Sequence, residues 1–221
     1  MHTHVQDENG TDLFAVREVC CPDYKIIFSE ARIDDRTLNF FYNLASITVN
    51  IASNEGFGLS GAESLMAGTP IINNVTGGLQ DQCGFVVEKM SGFVPMEFDN
   101  EFTSNHTGRY KKHGKWAFPV FPSNRSLQGS LATPYIFDDR CKFEDVADAL
   151  MEAWQLRDVL KTRGLEGREF ALSNKSNMSS TAMCSGIVDN ITNLMKSFAP
   201  PKRIRLIDTN KPKKYNGIIW K

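Results

Sequence analysis

Two glutamates flank a glycine-broken loop in residues 50–70, which read N-I-A-S-N-E-G-F-G-L-S-G-A-E-S-L-M-A-G-T-P. The carboxylates of Glu55 and Glu63 accept hydrogen bonds well from sugar or ribose hydroxyls, whereas a carboxylate repels a phosphate. Gly56 and Gly58 let the backbone turn tightly and approach a ligand without interference from a Cβ atom. The run therefore predicts a ligand that carries hydroxyl groups.

The same run also predicts a site for an anion. A helix is expected to begin near Leu59, and the N–H groups at a helix N-terminus are unpaired and lie at the positive end of the helix dipole. The amides expected to face a phosphate are those of Phe57, Gly58, Leu59 and Ser60. A nucleotide linked to a sugar carries both phosphate and hydroxyls, so we expect this kind of ligand.

Helices and strands alternate around the glycine loop. Ile47, Val49 and Ile51 alternate as in a strand, and residues 70–73 form a second apolar run of strand length. This alternation is typical of an α/β fold with a doubly wound parallel sheet, in which ligands bind beyond the carboxyl ends of the strands. The other elements predicted here are strands at 1–5 and 24–28 and helices at 12–20, 37–45 and 60–67.

Five further residues are expected near the same edge of the sheet. Gly77 and Gly78 follow the second strand, where they either border the cleft or form a tight turn with positive φ. Arg32 and Arg36 follow an earlier predicted strand; either one of them reaches the phosphates or both are solvated. Ile33 lies between them and is a candidate for the base pocket.

Residues 84–137 interrupt the alternation and are rich in Phe, Pro, Gly, Asn and Ser. A loop region of this length is usually functional or partly disordered. One hypothesis is a lid or acceptor-side platform on which Trp116 stacks against a sugar; the alternative is an extension anchored on the domain by its aromatic residues. The basic side chains that could supply positive charge in this insertion are Lys111, Lys112, His113 and Lys115.

Helical spacing returns at residue 143 and predicts three more helices, near residues 143–154, 161–172 and 180–198. Asp138 or Asp139 is expected to cap the first of them. The side chains expected to face the core from that helix are Phe143, Val146, Ala147, Leu150, Met151 and Trp154. The apolar face of the last helix contains Ala182, Met183, Ile187, Ile191, Leu194, Met195 and Phe198.

The length and composition limit how many domains the chain can form and which partners it is expected to bind. A chain of 221 residues with 41% apolar content can bury a proper core, predicted as one domain at 1–200 with the 84–137 insertion inside it and a basic tail at 201–221. A net charge of −1 gives no drive toward nucleic acid or anionic membrane, and no segment approaches the length of a transmembrane span.

The cysteines and histidines do not suggest a metal site. The five cysteines are odd in number and lack Cys-x-x-Cys spacing, so we expect reduced thiols. The chain begins with no apolar signal run and no segment is long enough to span a membrane, so we expect a cytoplasmic location. His2 and His4 would share one side of a strand, but no third ligand is evident, and we predict no metal.

The residues of this run resemble a known family. The paired glutamates, the G-F-G-L between them, the A-G-T-P-I-I that follows and the T-G-G-L-Q-D-Q loop are similar to the C-terminal, donor-binding domain of retaining GT-B glycosyltransferases, nearest to family 4. The resemblance is strongest from residue 38 to residue 82, weaker before residue 38, and returns over the helix after Phe143. It implies a Rossmann-like domain that binds a nucleoside-diphosphate sugar as donor substrate and needs no cofactor or metal.

The resemblance also implies roles for individual residues. Glu55 matches the glutamate that contacts the donor sugar hydroxyls, and Glu63 matches the one that holds the ribose. Amides from Gly56 to Leu59 match those that touch the sugar and the distal phosphate. Residues 37–88 contain neither Lys nor Arg. Family members clamp the diphosphate with an Arg and a Lys from the first strand–helix unit of this domain, and we expect this chain to begin after that unit, so the clamp has no visible match.

Three functions remain open at this point. The chain supplies the donor half of a glycosyltransferase that transfers a sugar with retention to a saccharide, lipid or protein, while another domain or chain supplies the acceptor site. Alternatively, it is a non-catalytic nucleotide-sugar-binding or assembly module. A sugar-nucleotide epimerase on a related two-domain fold is the third reading. These 221 residues suffice for about one of the two domains that a GT-B enzyme needs.

Overall fold

A computed structural model describes residues 1–6, 10–88, 109–130, 133–200, 214–215 and 218–219. The basic tail predicted at 201–221 lies outside these residues except for two short strands. The helices are α1 (Leu13–Cys20), α2 (Asp35–Leu44), α3 (Leu59–Ala67), α4 (Gly77–Gln82), α5 (Phe143–Gln155), α6 (Leu160–Leu172) and α7 (Ser180–Ser197). The strands are β1 (Thr48–Asn50), β2 (Ile71–Asn74), β3 (Val86–Glu88), β4 (Arg109–Lys112), β5 (Ala117–Val120), β6 (Asn124–Ser130), β7 (Thr133–Arg140), β8 (Lys214–Tyr215) and β9 (Ile218–Ile219).

A parallel three-stranded sheet with the order β1-β2-β5 forms the centre of the domain. Its two faces carry separate apolar clusters, since successive strand residues point to opposite sides. Ile71 packs in one cluster with residues of α3 and α6, whereas Ile72 packs in the other with residues of α5 and with Phe118 of β5. Helices thus cover both faces, as the predicted doubly wound arrangement requires.

The buried thiol of Cys83 belongs to the first of these clusters, together with Leu65 of α3. Complete burial raises the pKa of this thiol well above its usual range, with a smaller contribution from the nearby carboxylate of Asp81. Cys83 therefore acts as a small apolar residue of the core rather than as a reactive group.

The predicted helices form with ends displaced by a few residues, and local side chains explain where several of them begin. Asp12 accepts hydrogen bonds from the backbone at the start of α1, and Asp34 accepts one from Thr37 N–H in α2. Ser179 caps α7 in the same way through Ala182 N–H. None of the helices in the described part of the chain is long and apolar enough to cross a membrane.

The two strands predicted before β1 do not form. In the described residues, the pairing here amounts to one parallel bridge between His2 and Ser29, which lies just after the second predicted strand. The Met1 amino group also donates to the carbonyl of Ile27 at 2.6 Å. The Val5 N–H donates to the carboxylate of Glu30 instead of to a neighbouring strand, and Ile27 is exposed. The segment has little apolar surface to bury against, because α1 contributes no buried residue.

The insertion at 84–137 is more regular than predicted, because it contains the third strand of the central sheet. β5 pairs in parallel with β2, and Ile71 is opposite Ala117. Pro119 lies within this strand, which is tolerated because β5 is at the edge of the three-stranded sheet. The insertion also contributes the antiparallel pair β3–β4 and most of the β6–β7 hairpin.

Most of the core-facing residues predicted for α5 are wrong; of the predicted set, the half-buried Val146 does pack against the cluster that contains Ile72. Phe143 is 82% exposed and Trp154 is 64% exposed, while Ala149 and Ala153 are the buried residues of this helix. Ala149 and Ala153 let α5 approach β5 closely, because the bulky side chain of Phe118 on β5 fills the space between them. The last helix shows the same pattern, since of its predicted apolar face only Ala182 is buried.

The predicted cap of α5 is also wrong. Asp138 and Asp139 are in β7, and the residue before α5 is Lys142, whose side chain makes no cap hydrogen bond. Asp139 is fully buried instead and belongs to the site described below.

Helices α3 and α6 pack with their backbones in close contact. Gly164 is buried where α6 crosses the end of α3, next to the Gly68 that ends α3 in the left-handed conformation with φ of 87°. A Cβ atom added at Gly164 would overlap the carbonyl oxygen of Gly68 and lie 2.8 Å from its carbonyl carbon. This crossing therefore requires glycine on α6.

Candidate functional site

The glycine loop lies between the end of β1 and the start of α3, at the carboxyl edge of the sheet. α3 begins at Leu59, and Gly58 precedes it in the left-handed conformation with φ of 80°, which glycine favours. No side chain caps this end of α3. The first N–H groups of the helix, including those of Leu59 and Ser60, therefore have no capping side chain among the described residues, and their contact with an anion stays a prediction.

Gly77 and Gly78 lie directly against this loop. The Gly78 N–H donates to the carbonyl of Glu55 at 3.0 Å. A Cβ atom at Gly78 would lie 2.5 Å from the carbonyl oxygen of Gly56, and one at Gly77 would overlap the carbonyl oxygen of Glu55. Gly77 also has a positive φ of 45°. Both glycines thus allow α4 to touch the loop, and a direct contact with a ligand stays a prediction.

The side chain of Gln82 supports the loop from within the protein. This buried amide donates to the carbonyl of Phe57 at 2.6 Å and to that of Gly58 at 2.8 Å. Its own oxygen accepts a hydrogen bond from Asn73 Nδ2 at 3.1 Å. In a trans peptide the N–H points away from the C=O. Because the carbonyls of Phe57 and Gly58 face Gln82, the N–H groups of Gly58 and Leu59 point away from it, toward the open side of the loop. The role of Gln82 was missed from the sequence, although the T-G-G-L-Q-D-Q loop contains it.

Replacing Gln82 with leucine is expected to lower the free energy of unfolding by about 2 kcal/mol, because two buried carbonyls lose their donor. Thermal or urea unfolding followed by circular dichroism measures this change. Gln155→Leu, at the exposed end of α5, is the matched control and should leave stability unchanged. Equal stability of Gln82→Leu and the unmodified chain would contradict the supporting role.

The residues just before Glu55 are tied to the β6–β7 hairpin through a second group of buried hydrogen bonds. The Asp139 N–H donates to Ser53 O at 2.8 Å, and the Thr76 hydroxyl donates to the Asp139 carboxylate at 2.8 Å. Asn74 Nδ2 joins both sides, since it donates to Ala52 O at 2.9 Å and to Asp139 O at 2.8 Å. Asp139 therefore holds the backbone of residues 52–53, just before Glu55, in place. No local pattern in the sequence indicated this role.

Glu63 lies on α3 beside a groove between α2 and α3. The hydroxyl of Tyr42 on α2 donates to Glu63 Oε2 at 3.0 Å. Burial, and then the hydrogen bond and the negative charge of Glu63, raise the pKa of Tyr42 above its ordinary value, so the phenol remains a donor into the alkaline range. The groove has a volume of about 260 Å³, and its lining residues are Asp35, Leu38, Asn39, Tyr42, Glu63, Met66 and Ala67.

Two of the residues predicted to approach the phosphates or the base lie just before α2, and a third, Arg36, lies in its first turn. Arg32 is exposed and Ile33 is half-buried, and both are in the connection that leads to α2. The guanidinium of Arg36 lies over the ring of Phe40, 5.9 Å from its centroid. The structure thus joins Glu55 to Ser60 in one loop and helix start, with Gly77 and Gly78 beneath them, while phosphate or base contacts of Arg32 and Ile33 stay predictions.

Trp116 does not provide the free sugar platform that the first hypothesis expected. Its indole stacks on Phe170 of α6 with 4.7 Å between ring centroids, and its Nε1–H donates to Gln82 O at 3.0 Å. The alternative, an aromatic anchor for the insertion, fits this packing. Lys115 lies 3.9 Å from Glu166 in an exposed ion pair, which contributes little to stability.

The contacts of His2 in the described part of the chain are to a hydroxyl and an aromatic ring. His2 Nδ1 lies 3.1 Å from the Ser29 hydroxyl, and its ring meets Phe41 edge-on at 6.0 Å. In the described residues, no group of three or more His, Cys, Asp or Glu side chains is arranged to hold a metal ion.

Comparisons with known proteins found similarity at the level of structure. No protein-family profile and no curated protein sequence matches the chain. A solved sucrose-phosphate synthase from Thermosynechococcus elongatus superposes with a TM-score of 0.52 and 17% sequence identity, over 87% of this chain and 37% of that one. The catalytic domain of starch synthase IV from Arabidopsis thaliana, bound to ADP and acarbose, superposes with a TM-score of 0.45 and 13% identity, over 84% of this chain and 29% of that one.

The chain thus spans 37% and 29% of the lengths of these two solved structures. At these identities the likeness concerns the fold alone. The order of the elements, the parallel sheet with helices on both faces and the superposition on the sucrose-phosphate synthase agree with one another. This chain has the Rossmann-like α/β fold of GT-B glycosyltransferases.

Proposed function

We propose that this chain is the donor-binding half of a retaining glycosyltransferase nearest to family 4, which transfers a sugar from a nucleoside diphosphate to an acceptor hydroxyl. The observation that carries the proposal is the start of α3. There, uncapped helix amides are followed one turn later by Glu63 and preceded by Glu55, at the carboxyl edge of a parallel sheet. The glycosyltransferase fold supports the same function.

Each part of the donor has a counterpart in this arrangement. The amides of Leu59 and Ser60 bind the distal phosphate at the positive end of the α3 dipole. Glu55 accepts hydrogen bonds from the sugar hydroxyls and fixes the orientation of the ring, while Glu63 accepts them from the ribose. No metal takes part in this proposal.

During transfer, the bond between the anomeric carbon and the phosphate oxygen breaks, and the acceptor oxygen forms the new bond to that carbon on the same face. The acceptor proton passes to the leaving diphosphate. The transition state resembles an oxocarbenium ion, and negative charge develops on the diphosphate next to the α3 amides, which stabilise it. The acceptor, a saccharide, lipid or protein, binds to a domain supplied by another part of the protein or by another chain.

The test is calorimetric titration of the purified chain with UDP-, GDP- and ADP-sugars, and with the corresponding diphosphates that lack the sugar. Glu63→Ala should lower the affinity for both kinds of ligand by about tenfold to a hundredfold, because the ribose loses a charged hydrogen-bond acceptor. Glu55→Ala should weaken the sugar nucleotide by a similar factor and leave the free diphosphate unaffected.

Glu144→Ala, an exposed carboxylate at the start of α5, is the matched control and should bind as the unmodified chain does. Absence of binding to every nucleotide sugar by a folded chain would contradict the proposal. Equal losses in Glu55→Ala for the sugar nucleotide and for the free diphosphate would contradict the assignment of Glu55 to the sugar.

A second candidate function is a non-catalytic nucleotide-sugar-binding or assembly module. It is favoured by the absence of Lys and Arg from residues 37–88, the stretch that contains the proposed diphosphate site. A transfer assay with a co-purified acceptor-domain partner separates the two: donor binding without transfer in the assembled complex indicates the module, and transfer indicates the enzyme.

A further inference from the structure

We propose that Tyr42 is a positioning residue for Glu63: its hydroxyl holds one carboxylate oxygen in place so that the other is presented to the ribose of the donor. This inference rests on the proposed function, because it assigns a role only if Glu63 binds ribose. It adds a residue from α2 to a site whose other members lie on the glycine loop, α3 and α4.

The hydrogen bond between Tyr42 and Glu63 joins two helices. The phenol hydroxyl donates to Glu63 Oε2 at 3.0 Å, and both side chains are half-buried. A carboxylate that must orient a diol gains from such a contact, since a long, flexible side chain otherwise loses rotamer freedom when the ligand binds. The phenol occupies only part of the capacity of the carboxylate, whose two oxygens offer about four acceptor positions.

The backbone of Tyr42 is itself fixed in position relative to α3. The Thr69 hydroxyl, just beyond the end of α3, donates to the carbonyl of Tyr42 at 2.7 Å. Ser64 of α3 donates in turn to the carbonyl of Thr69 at 3.1 Å. These two bonds link the Tyr42 backbone to the helix that carries Glu63, so the phenol approaches the carboxylate from a defined direction.

The pair borders open space rather than the core. Tyr42 and Glu63 both line the groove of about 260 Å³ between α2 and α3, along with polar side chains such as Asn39. Within this groove a ligand hydroxyl can approach the carboxylate while the phenol stays bound to it. A phenol is protonated at neutral pH and can donate there. Burial and the neighbouring Glu63 raise the pKa of Tyr42 further, so this ability extends to more alkaline pH.

The test uses Tyr42→Phe, which removes the hydroxyl and keeps both the ring and the backbone carbonyl. The ligands are the nucleoside diphosphate that binds the unmodified chain best and its 2′,3′-dideoxy counterpart. We expect Tyr42→Phe to lower the affinity for the nucleotide with the intact ribose by about tenfold and to leave the affinity for the dideoxy nucleotide unchanged. A purely structural role for Tyr42 would weaken both forms equally.

Two further variants sharpen the result. Tyr24→Phe, at an exposed tyrosine outside the groove, is the matched control and should bind both nucleotides normally. In the Glu63→Ala background, Tyr42→Phe should cause no additional loss, because the carboxylate that it positions is already gone. An additional loss in that background would overturn the proposal.

The outcomes for the inference and for the proposed function are distinct. Equal losses for the two nucleotides, or no loss for either, overturn the role of Tyr42 while donor binding itself stands. If the unmodified chain binds no nucleoside diphosphate, the proposed function fails and the role of Tyr42 fails with it.

Discussion

Gly78→Ala is expected to weaken donor binding by about a hundredfold. The added Cβ would lie 2.5 Å from the carbonyl oxygen of Gly56 and 2.6 Å from the Cα of Phe57, and both of these are backbone atoms that cannot rotate away. The loop between Glu55 and α3 must then move by about an ångström, a displacement that in a preorganised site costs about two orders of magnitude. Calorimetric titration with the nucleotide sugar measures the loss.

Gly186→Ala provides the matched control for this experiment. Gly186 is in α7, and its added Cβ would meet only Asn177 Oδ1, at the ordinary contact distance of 3.6 Å. The control should bind the donor normally. If Gly78→Ala also binds the donor normally, close packing of the loop on α4 is not needed for binding. That result would contradict the role of Gly77 and Gly78 in shaping the site.

Gly164→Ala is expected to cause the largest loss of stability, about 3 kcal/mol in the free energy of unfolding. Its Cβ would overlap the carbonyl of Gly68 and lie 3.0 Å from the ring of Pro70, so α6 must separate from α3. For a chain of this size the loss lowers the melting temperature by roughly 10 °C. Thermal unfolding followed by circular dichroism measures the shift.

The same Gly186→Ala control tests whether the loss is specific to the crossing of α3 and α6. Alanine in the interior of a helix is intrinsically more favourable than glycine, so this variant should melt at the same temperature as the unmodified chain or slightly above it. A melting temperature of Gly164→Ala within a degree or so of the control would show that the two helices can separate at little cost.

The sequence was sufficient to predict the part of the fold that local signals determine. The strand-loop-helix unit from β1 to α3 has alternation, glycines and a helix start within a short run, and it forms as predicted. Helices with a capping side chain, such as Asp34 before α2, also form near their predicted starts. The placement of Glu55 at the carboxyl edge of the sheet follows from these elements alone.

The remainder depends on contacts between distant segments, which local patterns do not encode. β5 joins the sheet from within a segment that reads as irregular, because its four residues include Pro119 and become a strand only when paired with β2. In α5 the large apolar residues suggested the buried face, whereas the residues buried against the cluster of Phe118 are Ala149 and Ala153, with Val146 half-buried beside them. Size alone therefore misled the prediction.

The supporting residues of the site were missed for the same reason. Gln82 and Asp139 are polar residues whose burial is evident only when α4 and the β6–β7 hairpin lie against the loop. Tyr42 reads as one more aromatic residue of an amphipathic helix until α2 is placed beside Glu63. A polar residue in an otherwise apolar run is a signal, but its partner cannot be identified from a single sequence.

The amide of Gln82 has a consequence for how donor affinity responds to ionic strength. The carbonyls of Phe57 and Gly58 are held by an uncharged, buried group that does not titrate near neutral pH, so added salt leaves the shape of the loop unchanged. A fall in donor affinity with rising salt would then report the attraction between the diphosphate and the protein, free of any change in the loop. Comparing this salt dependence between the chain alone and the assembly proposed above would measure how much positive charge the acceptor-side domain adds to the site.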